Sequence, residues 1–197
     1  MSILKHALFS LAEHRLRYAA WTCASAIARG TDGAKTRNVF YTLRQAGIET
    51  ELEKKRFTSH AEYDAWHPGM VKRVIKAATK NGIALTYGQG AKLLAIYIKT
   101  LHIVPGIRKD LLTHAHPPID RILLKNRLPK GQRSNPMALA WTKFDQPRYQ
   151  KTFAQLEQSS ENGKPRWMIE ASWHPELMMV DARAKTRIVK LAKSNKP

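Results

Sequence analysis

The stretch "YGQGAKLLAIYIK", residues 87–99, decides the fold predicted for this chain. Gly88 and Gly90 stand two residues apart, Lys92 follows two residues later, and an uncharged, mainly apolar run continues to Ile98. Glycine permits tight backbone turns, and an apolar run of this kind is consistent with a buried helix. We therefore predict a turn at the two glycines and a helix from about Gly90 to Ile103, with Lys92 where they meet.

The segments on either side follow the helical period. No segment alternates apolar and polar residues with β-branched enrichment, so the predicted fold class is all-α in one domain spanning 1–197. The pattern predicts an irregular segment over 48–57 and a break at Pro68 and Gly69, after a capping box formed by Ser59 and Glu62. Helices are predicted over 3–29, 35–46, 60–66, 70–80, 90–103, 118–128 and 181–193.

The charge balance predicts a polyanionic partner. Lys and Arg number 34 against 15 Asp and Glu, a net charge of +19 that is spread along the chain. Nucleic acid is the commonest such partner, because neutralising phosphates releases counterions. The only cysteine, Cys23, excludes an internal disulfide and favours a cytoplasmic protein. The longest uncharged stretch near the N-terminus has eleven residues, fewer than the roughly 20 that span a membrane, so no membrane partner is predicted.

Two residues carry the predicted chemistry. Burial among the apolar neighbours of Lys92 would desolvate its ammonium group, which favours the neutral, nucleophilic amine; a lysine there could equally extend to solvent. Asp120, in "PPIDRILL", follows two prolines in the first turn of a predicted helix, where the helix dipole favours the ionised carboxylate. Such a carboxylate can stabilise an oxocarbenium-like sugar, although first-turn aspartates are also common structural residues. The 28 residues between them allow a return to a shared cleft.

"TYGQGAKLLA" and "PPIDRILL" resemble the two signature segments of the helix–hairpin–helix DNA glycosylases, nearest to the archaeal 8-oxoguanine glycosylase branch. The resemblance covers about residues 70–128. It implies two helical lobes around a DNA-binding cleft, with the hairpin at about 70–103 and the catalytic aspartate helix at about 118–128. It implies that Lys92 is the nucleophile and Asp120 the electrostatic or acid–base residue.

The same resemblance implies the partner and its contacts. The partner would be double-stranded DNA containing a modified base, either an oxidised purine or a hypermodified base such as glucosylated hydroxymethylcytosine in phage DNA, and no protein partner is evident. No cofactor is implied beyond a monovalent cation at the hairpin, and no metal site is predicted because His114 and His116 lack a third ligand. Glu170 and Trp173 would contact the extruded base. The implied DNA contacts are Tyr87, Gly88, Gln89, Gly90, Ala91, Arg121 and Lys125.

Two other functions fit parts of the sequence. Arg108 and His114 have the R-x5-H spacing of HEPN ribonucleases, although the prolines at 117 and 118 argue against the long helix that such a site prefers. The segment around 75–99 could also be a helix-turn-helix of a non-enzymatic DNA-binding protein. The second helix would be too apolar to lie exposed in a major groove.

Overall fold

The computed structural model describes residues 10–28, 30–158 and 164–173, and these contain helices and no β-strand. The all-α prediction is therefore confirmed for the described residues. The α-helices are α1 Leu11–Ile27, α2 Thr36–Ala46, α3 Ile48–Lys54, α4 His60–Lys80, α5 Tyr87–Ile98, α6 Lys109–His114, α7 Arg121–Arg127 and α8 Gln146–Gln158. A π-helical turn, Lys99–Ile103, continues α5, and short 3₁₀ segments cover Lys130–Gln132, Trp141–Lys143 and Arg166–Ser172.

Helix α5 is the centre of the fold, because all twelve of its residues are buried. It packs against α1 and α4 and against the 3₁₀ segment at Trp141–Lys143. A helix that is apolar on all sides is stable in water only when neighbours cover it completely. These neighbours and α8 therefore enclose the side chains that α5 carries.

The predicted turn at Gly88 and Gly90 is wrong. Both glycines lie inside α5, which begins one residue after Thr86, and the turn that separates α4 from α5 lies at 81–86. Thr86 and Gln89 form a capping box, in which Gln89 N–H donates to Thr86 Oγ1 at 3.2 Å and Thr86 N–H donates to Gln89 Oε1 at 2.9 Å. This cap starts the helix ahead of the glycines.

The glycines instead allow close packing. A Cβ at position 88 would collide with the backbone carbonyl oxygen of Trp141, and a Cβ at position 90 would lie 2.7 Å from Cγ1 of Ile75 on α4. The absence of side chains thus lets α5 approach its neighbours at two points.

Two further segments also differ from prediction. The segment expected to be irregular contains α3, whose residues Ile48 and Leu52 are one turn apart and both buried. The predicted break at Pro68 and Gly69 is wrong, since α4 continues through both residues to Lys80. Burial of apolar side chains before and after Pro68 outweighs its cost of about 3 kcal/mol or more in a helix interior.

Three further predictions concern the first, second and last helices. Helix α1 begins at Leu11, after the N-cap Ser10, and the earlier part of the helix predicted over 3–29 lies outside the described residues. The predicted helix over 181–193 lies outside the described residues. Gly47, with φ of 67°, ends α2 as predicted.

A pair of glycine substitutions tests the role of Gly88. We expect Gly88→Ala to lower the free energy of unfolding by about 1–3 kcal/mol, because the new methyl group has no space beside a backbone carbonyl. Gly69→Ala is the matched control: it lies inside α4, where a Cβ would meet nothing within 4 Å. There the substitution should stabilise by about 0.5–1 kcal/mol through helix propensity. Urea denaturation of both variants measures the difference, and an unchanged Gly88→Ala protein would contradict this packing.

Candidate active site

One cavity of about 740 Å³ lies between α1 and α5 on one side and the start of α7 and the 3₁₀ segment Arg166–Ser172 on the other. We call it the α1–α5 cavity. Both residues that carry the predicted chemistry line it, together with polar side chains from α1 and the π-helical turn. Its lining includes Tyr18, Thr22, Ser25, Lys92, Ile96, Lys99, Pro118, Asp120, Glu170 and Trp173.

Lys92 reaches the cavity from the buried helix α5. Its side chain is 9% exposed, and Nζ lies 3.6 Å from Oδ2 of Asp120. Nζ also lies 4.3 Å from the centre of the Trp141 ring, a distance typical of a cation–π contact. The structure thus brings Lys92 and Asp120 together, although 28 residues separate them in the chain. The amine is directed into the cavity and away from bulk solvent.

Asp120 is held at both carboxylate oxygens. It is the N-cap of α7 and not a first-turn residue: Oδ1 accepts a hydrogen bond from Leu123 N–H at 2.9 Å. Oδ2, the atom nearest Lys92, also accepts a hydrogen bond from the indole Nε1–H of Trp173 at 3.2 Å. The two donors leave this carboxylate little freedom to rotate away from Lys92.

Glu170 lies beside this pair. Its Oε2 accepts a hydrogen bond from Lys99 Nζ at 2.8 Å, and burial raises the pKa of Glu170, with a further increase from the nearby charge of Asp120 and an opposing effect of Lys99. Lys99 Nζ also lies 5.1 Å from the ring centre of Trp173 and 5.7 Å from that of Trp167. The predicted base-contacting residues, Glu170 and Trp173, therefore both lie in the cavity wall.

Arg166 fixes the segment that carries them. It donates hydrogen bonds to Asp64 on α4 at 2.7 and 2.9 Å and to Glu157 on α8 at 2.5 Å. Burial opposes ionisation of Asp64, but hydrogen bonds from His116 and Arg166 lower its pKa overall. Arg127 on α7 adds a hydrogen bond to the carbonyl of Ile169. The segment is thus joined to three helices.

The predicted phosphate contacts at 87–91 do not have the geometry that was expected. All five residues are buried, and the N–H of Gly88 donates to the carbonyl of Phe144 at 3.0 Å. The N–H groups of Gln89 and Gly90 are bonded to Thr86. The amides of Gly88, Gln89 and Gly90 are therefore already bonded within the protein, and the carbonyls of 87–91 lie within a regular helix and not in a loop that could hold a cation. Arg121 and Lys125, by contrast, are exposed on α7 and accessible to a phosphate.

The residues of the ribonuclease hypothesis are engaged elsewhere. Arg108 is buried and donates hydrogen bonds to Asp110 and to the carbonyls of Leu52 and Lys55. His114 contacts His60 at 2.9 Å, at the end of a helix of only six residues. The complete burial of α5 equally leaves it no surface that could enter a major groove.

Sequence reasoning missed several residues of the cavity. Lys99 stands seven residues after Lys92, two helical turns along the same face, and that spacing could have identified it. The pairing of Trp173 with Asp120 and of Trp141 with Lys92 had no local signal, because each joins distant segments. The hydroxyl groups of Thr22 and Ser25 on α1 also were not predicted to face the site.

Comparison with known proteins yields no match to any family model, curated protein or solved structure. Within the described residues, no cluster of three or more His, Cys, Asp or Glu side chains could hold a metal ion. None of the described helices combines the length and apolar character needed to cross a bilayer.

Proposed function

We propose that this protein is a DNA glycosylase of the helix–hairpin–helix type, which excises a modified base and leaves an abasic site. The observation that carries the proposal is the 3.6 Å approach of Lys92 Nζ to Asp120 Oδ2 in the wall of the α1–α5 cavity. Both residues belong to the two segments that resemble this family. A buried amine beside a fixed carboxylate in a cavity of this size is a reactive arrangement and not an ordinary surface ion pair.

The charge and the cavity fit a flipped nucleotide. A net charge of +19 attracts DNA, and the volume of about 740 Å³ lies within the range of about 300–1,000 Å³ common for ligand pockets. The glycosidic bond of a stacked base cannot be reached, so the target nucleotide must rotate out of the duplex. In this proposal α1–α5 form one lobe and α6–α8 with Arg166–Ser172 the other, and the nucleotide enters between them.

Lys92 supplies the nucleophile. Its neutral amine attacks C1′ of the sugar, the glycosidic bond breaks, and its electron pair leaves with the base. The C1′–O4′ bond then opens to give a protonated Schiff base. Over these steps the ammonium group of Lys92 loses two protons. The departing base gains one of them, and O4′ gains the other. Water hydrolyses the Schiff base to the abasic sugar and restores Lys92.

Asp120 stabilises the charge that develops on the sugar. As the glycosidic bond lengthens, positive charge accumulates at C1′ and O4′, and an oriented carboxylate beside the sugar stabilises that charge. Asp120 Oδ2 lies 3.6 Å from Nζ and can also accept the first proton that Lys92 releases. The N–H of Trp173 keeps Oδ2 directed at Lys92 during these steps.

Glu170 and the ring of Trp173 are proposed to contact the extruded base. The carboxylate can accept hydrogen bonds from base N–H groups, and the indole offers a stacking surface. An oxidised purine and a hypermodified base of phage DNA are both compatible with this wall. The setting is accordingly either DNA repair or antiphage defence in the cytoplasm. A panel of oligonucleotides, each containing one modified base, identifies the substrate when each is assayed for abasic sites.

Lys92→Gln tests the nucleophile. Borohydride reduces a Schiff base to a stable amine, so the wild-type protein should form a covalent adduct with DNA carrying the correct base. Lys92→Gln should form none. Lys99→Gln removes a second lysine of the same cavity and should retain the adduct. Adduct formation by Lys92→Gln would exclude Lys92 as the nucleophile.

Asp120→Asn tests the carboxylate. Asparagine is as good an N-cap as aspartate, so the protein should remain folded, while the excision rate constant should fall by about 10²–10³ with loss of the charge. DNA affinity should change by only a few-fold. Asp145→Asn is the matched control, because Asp145 accepts a hydrogen bond from Arg148 N–H in the same capping manner outside the cavity. Single-turnover excision by both variants gives the comparison, and unchanged excision by Asp120→Asn would contradict the mechanism.

Trp173→Phe tests the orientation of Asp120. Phenylalanine keeps an aromatic ring and removes only the N–H donor, so excision should slow by about 10–100-fold, the worth of a hydrogen bond to a charged group. Affinity for the modified DNA should be preserved. Trp66→Phe is the control, since the indole N–H of Trp66 has no hydrogen-bond partner in the described structure. A loss of affinity without a change in rate constant would instead assign Trp173 to base binding alone.

A further inference from the structure

Helix α1 exposes two large aromatic side chains beside the mouth of the α1–α5 cavity. Tyr18 is 55% exposed and Trp21 is 57% exposed, and their ring centres lie 5.9 Å apart. Tyr18 lines the cavity, whereas Trp21 lies outside it. We call this pair the α1 ridge. Exposed aromatic neighbours of this size commonly mark an interaction surface.

A second concave surface lies on the other side of the ridge. This α1–α2 groove has a volume of about 390 Å³ and contains three exposed arginines, Arg17, Arg37 and Arg44. Two aromatic residues of α2, Phe40 and Tyr41, line it with them.

Arginines and aromatic rings alternate in the groove. The guanidinium of Arg37 lies 5.9 Å from the ring centre of Tyr41, and that of Arg44 lies 5.5 Å from the ring centre of Phe40. The one carboxylate that lines the groove, Glu13, lies 3.4 Å from Arg17 and 3.9 Å from Arg44. The groove therefore has an excess of positive charge next to flat apolar rings, one of which, Tyr41, is 43% exposed.

The helical repeat of α1 connects the groove with the cavity. Successive residues advance by about 100° around a helix, so Trp21 lies between the face of Arg17 and the face of Tyr18. A chain that leaves the cavity past Tyr18 would thus cross Trp21 before it reaches Arg17 and the groove. Along this path the chain would meet two aromatic side chains, then one arginine, and then the mixed aromatic and basic side chains of the groove.

We propose that the α1 ridge and the α1–α2 groove bind an unpaired DNA strand that continues from the cavity, with Trp21 and Tyr41 stacking on bases and the arginines contacting phosphates. Aromatic faces together with a positively charged channel are the combination that binds single strands without sequence readout. Duplex bases are already stacked on each other, so exposed rings favour unpaired ones. The proposal rests on the proposed function in taking DNA as the nucleic acid and the cavity as the origin of the strand.

Binding of unmodified DNA tests this surface independently of excision. Fluorescence anisotropy with a labelled single-stranded oligonucleotide gives the dissociation constant over a series of salt concentrations. Trp21→Ala and Tyr41→Ala should each weaken binding by about tenfold, whereas Trp21→Phe and Tyr41→Phe should bind like the wild type. The double variant Arg37→Ala with Arg44→Ala should reduce the slope of log K against log salt by about 1.4, since each phosphate contact on a single strand contributes about 0.7.

A matched pair of lysines provides the control. Lys76 and Lys80 are exposed on α4 and line a different surface, so Lys76→Ala with Lys80→Ala removes the same charge elsewhere. If this control lowers the salt slope as much as the arginine variant, or if the alanine variants of Trp21 and Tyr41 bind normally, the proposed surface is wrong. Variants of this surface that weaken the binding of duplex DNA but not of single-stranded DNA would also overturn the proposal. Absence of excision by a wild-type protein that still shows these binding effects would refute the glycosylase function and leave this surface intact.

Discussion

The complete burial of α5 is the constraint on which the rest of the structure depends. Twelve consecutive residues are covered on every side, and Lys92 is the only charged residue among them. An ammonium group cannot remain charged in an apolar core without polar partners, so the structure must place a carboxylate, an aromatic face or a polar cavity beside it. Asp120, Trp141 and the α1–α5 cavity supply all three.

The helices and the need of Lys92 for a polar partner could be predicted from the sequence, because the patterns that indicate them are local. Apolar periodicity identifies the helices, Gly47 marks a helix end, and a lone lysine in an apolar run indicates a buried cation that needs a partner. Asp120 after two prolines similarly indicates a helix start. The meeting of Lys92 with Asp120 followed only from the resemblance of their segments to one family, since spacing alone does not determine which helices return to the same place.

The errors arise where distant residues decide the local structure. Gly88 lies in a helix because Thr86 caps that helix, and residue 88 has no room for a side chain because the backbone of Trp141, 53 residues away, occupies the space. Pro68 stays within α4 because buried side chains hold the helix on both sides of it. The hydrogen bond from Trp173 to Asp120 likewise joins segments 53 residues apart, and no pattern in either segment predicts it.

Cys23 has a consequence for the conditions in which this protein can work. Its thiol is fully buried and lies 3.5 Å from the carbonyl of Leu93, and burial raises the pKa of this thiol, which disfavours the reactive thiolate. Peroxides and disulfides attack thiolates, and this is the only cysteine in the chain. The buried position of Cys23 therefore makes the single thiol of the chain a poor target for these oxidants.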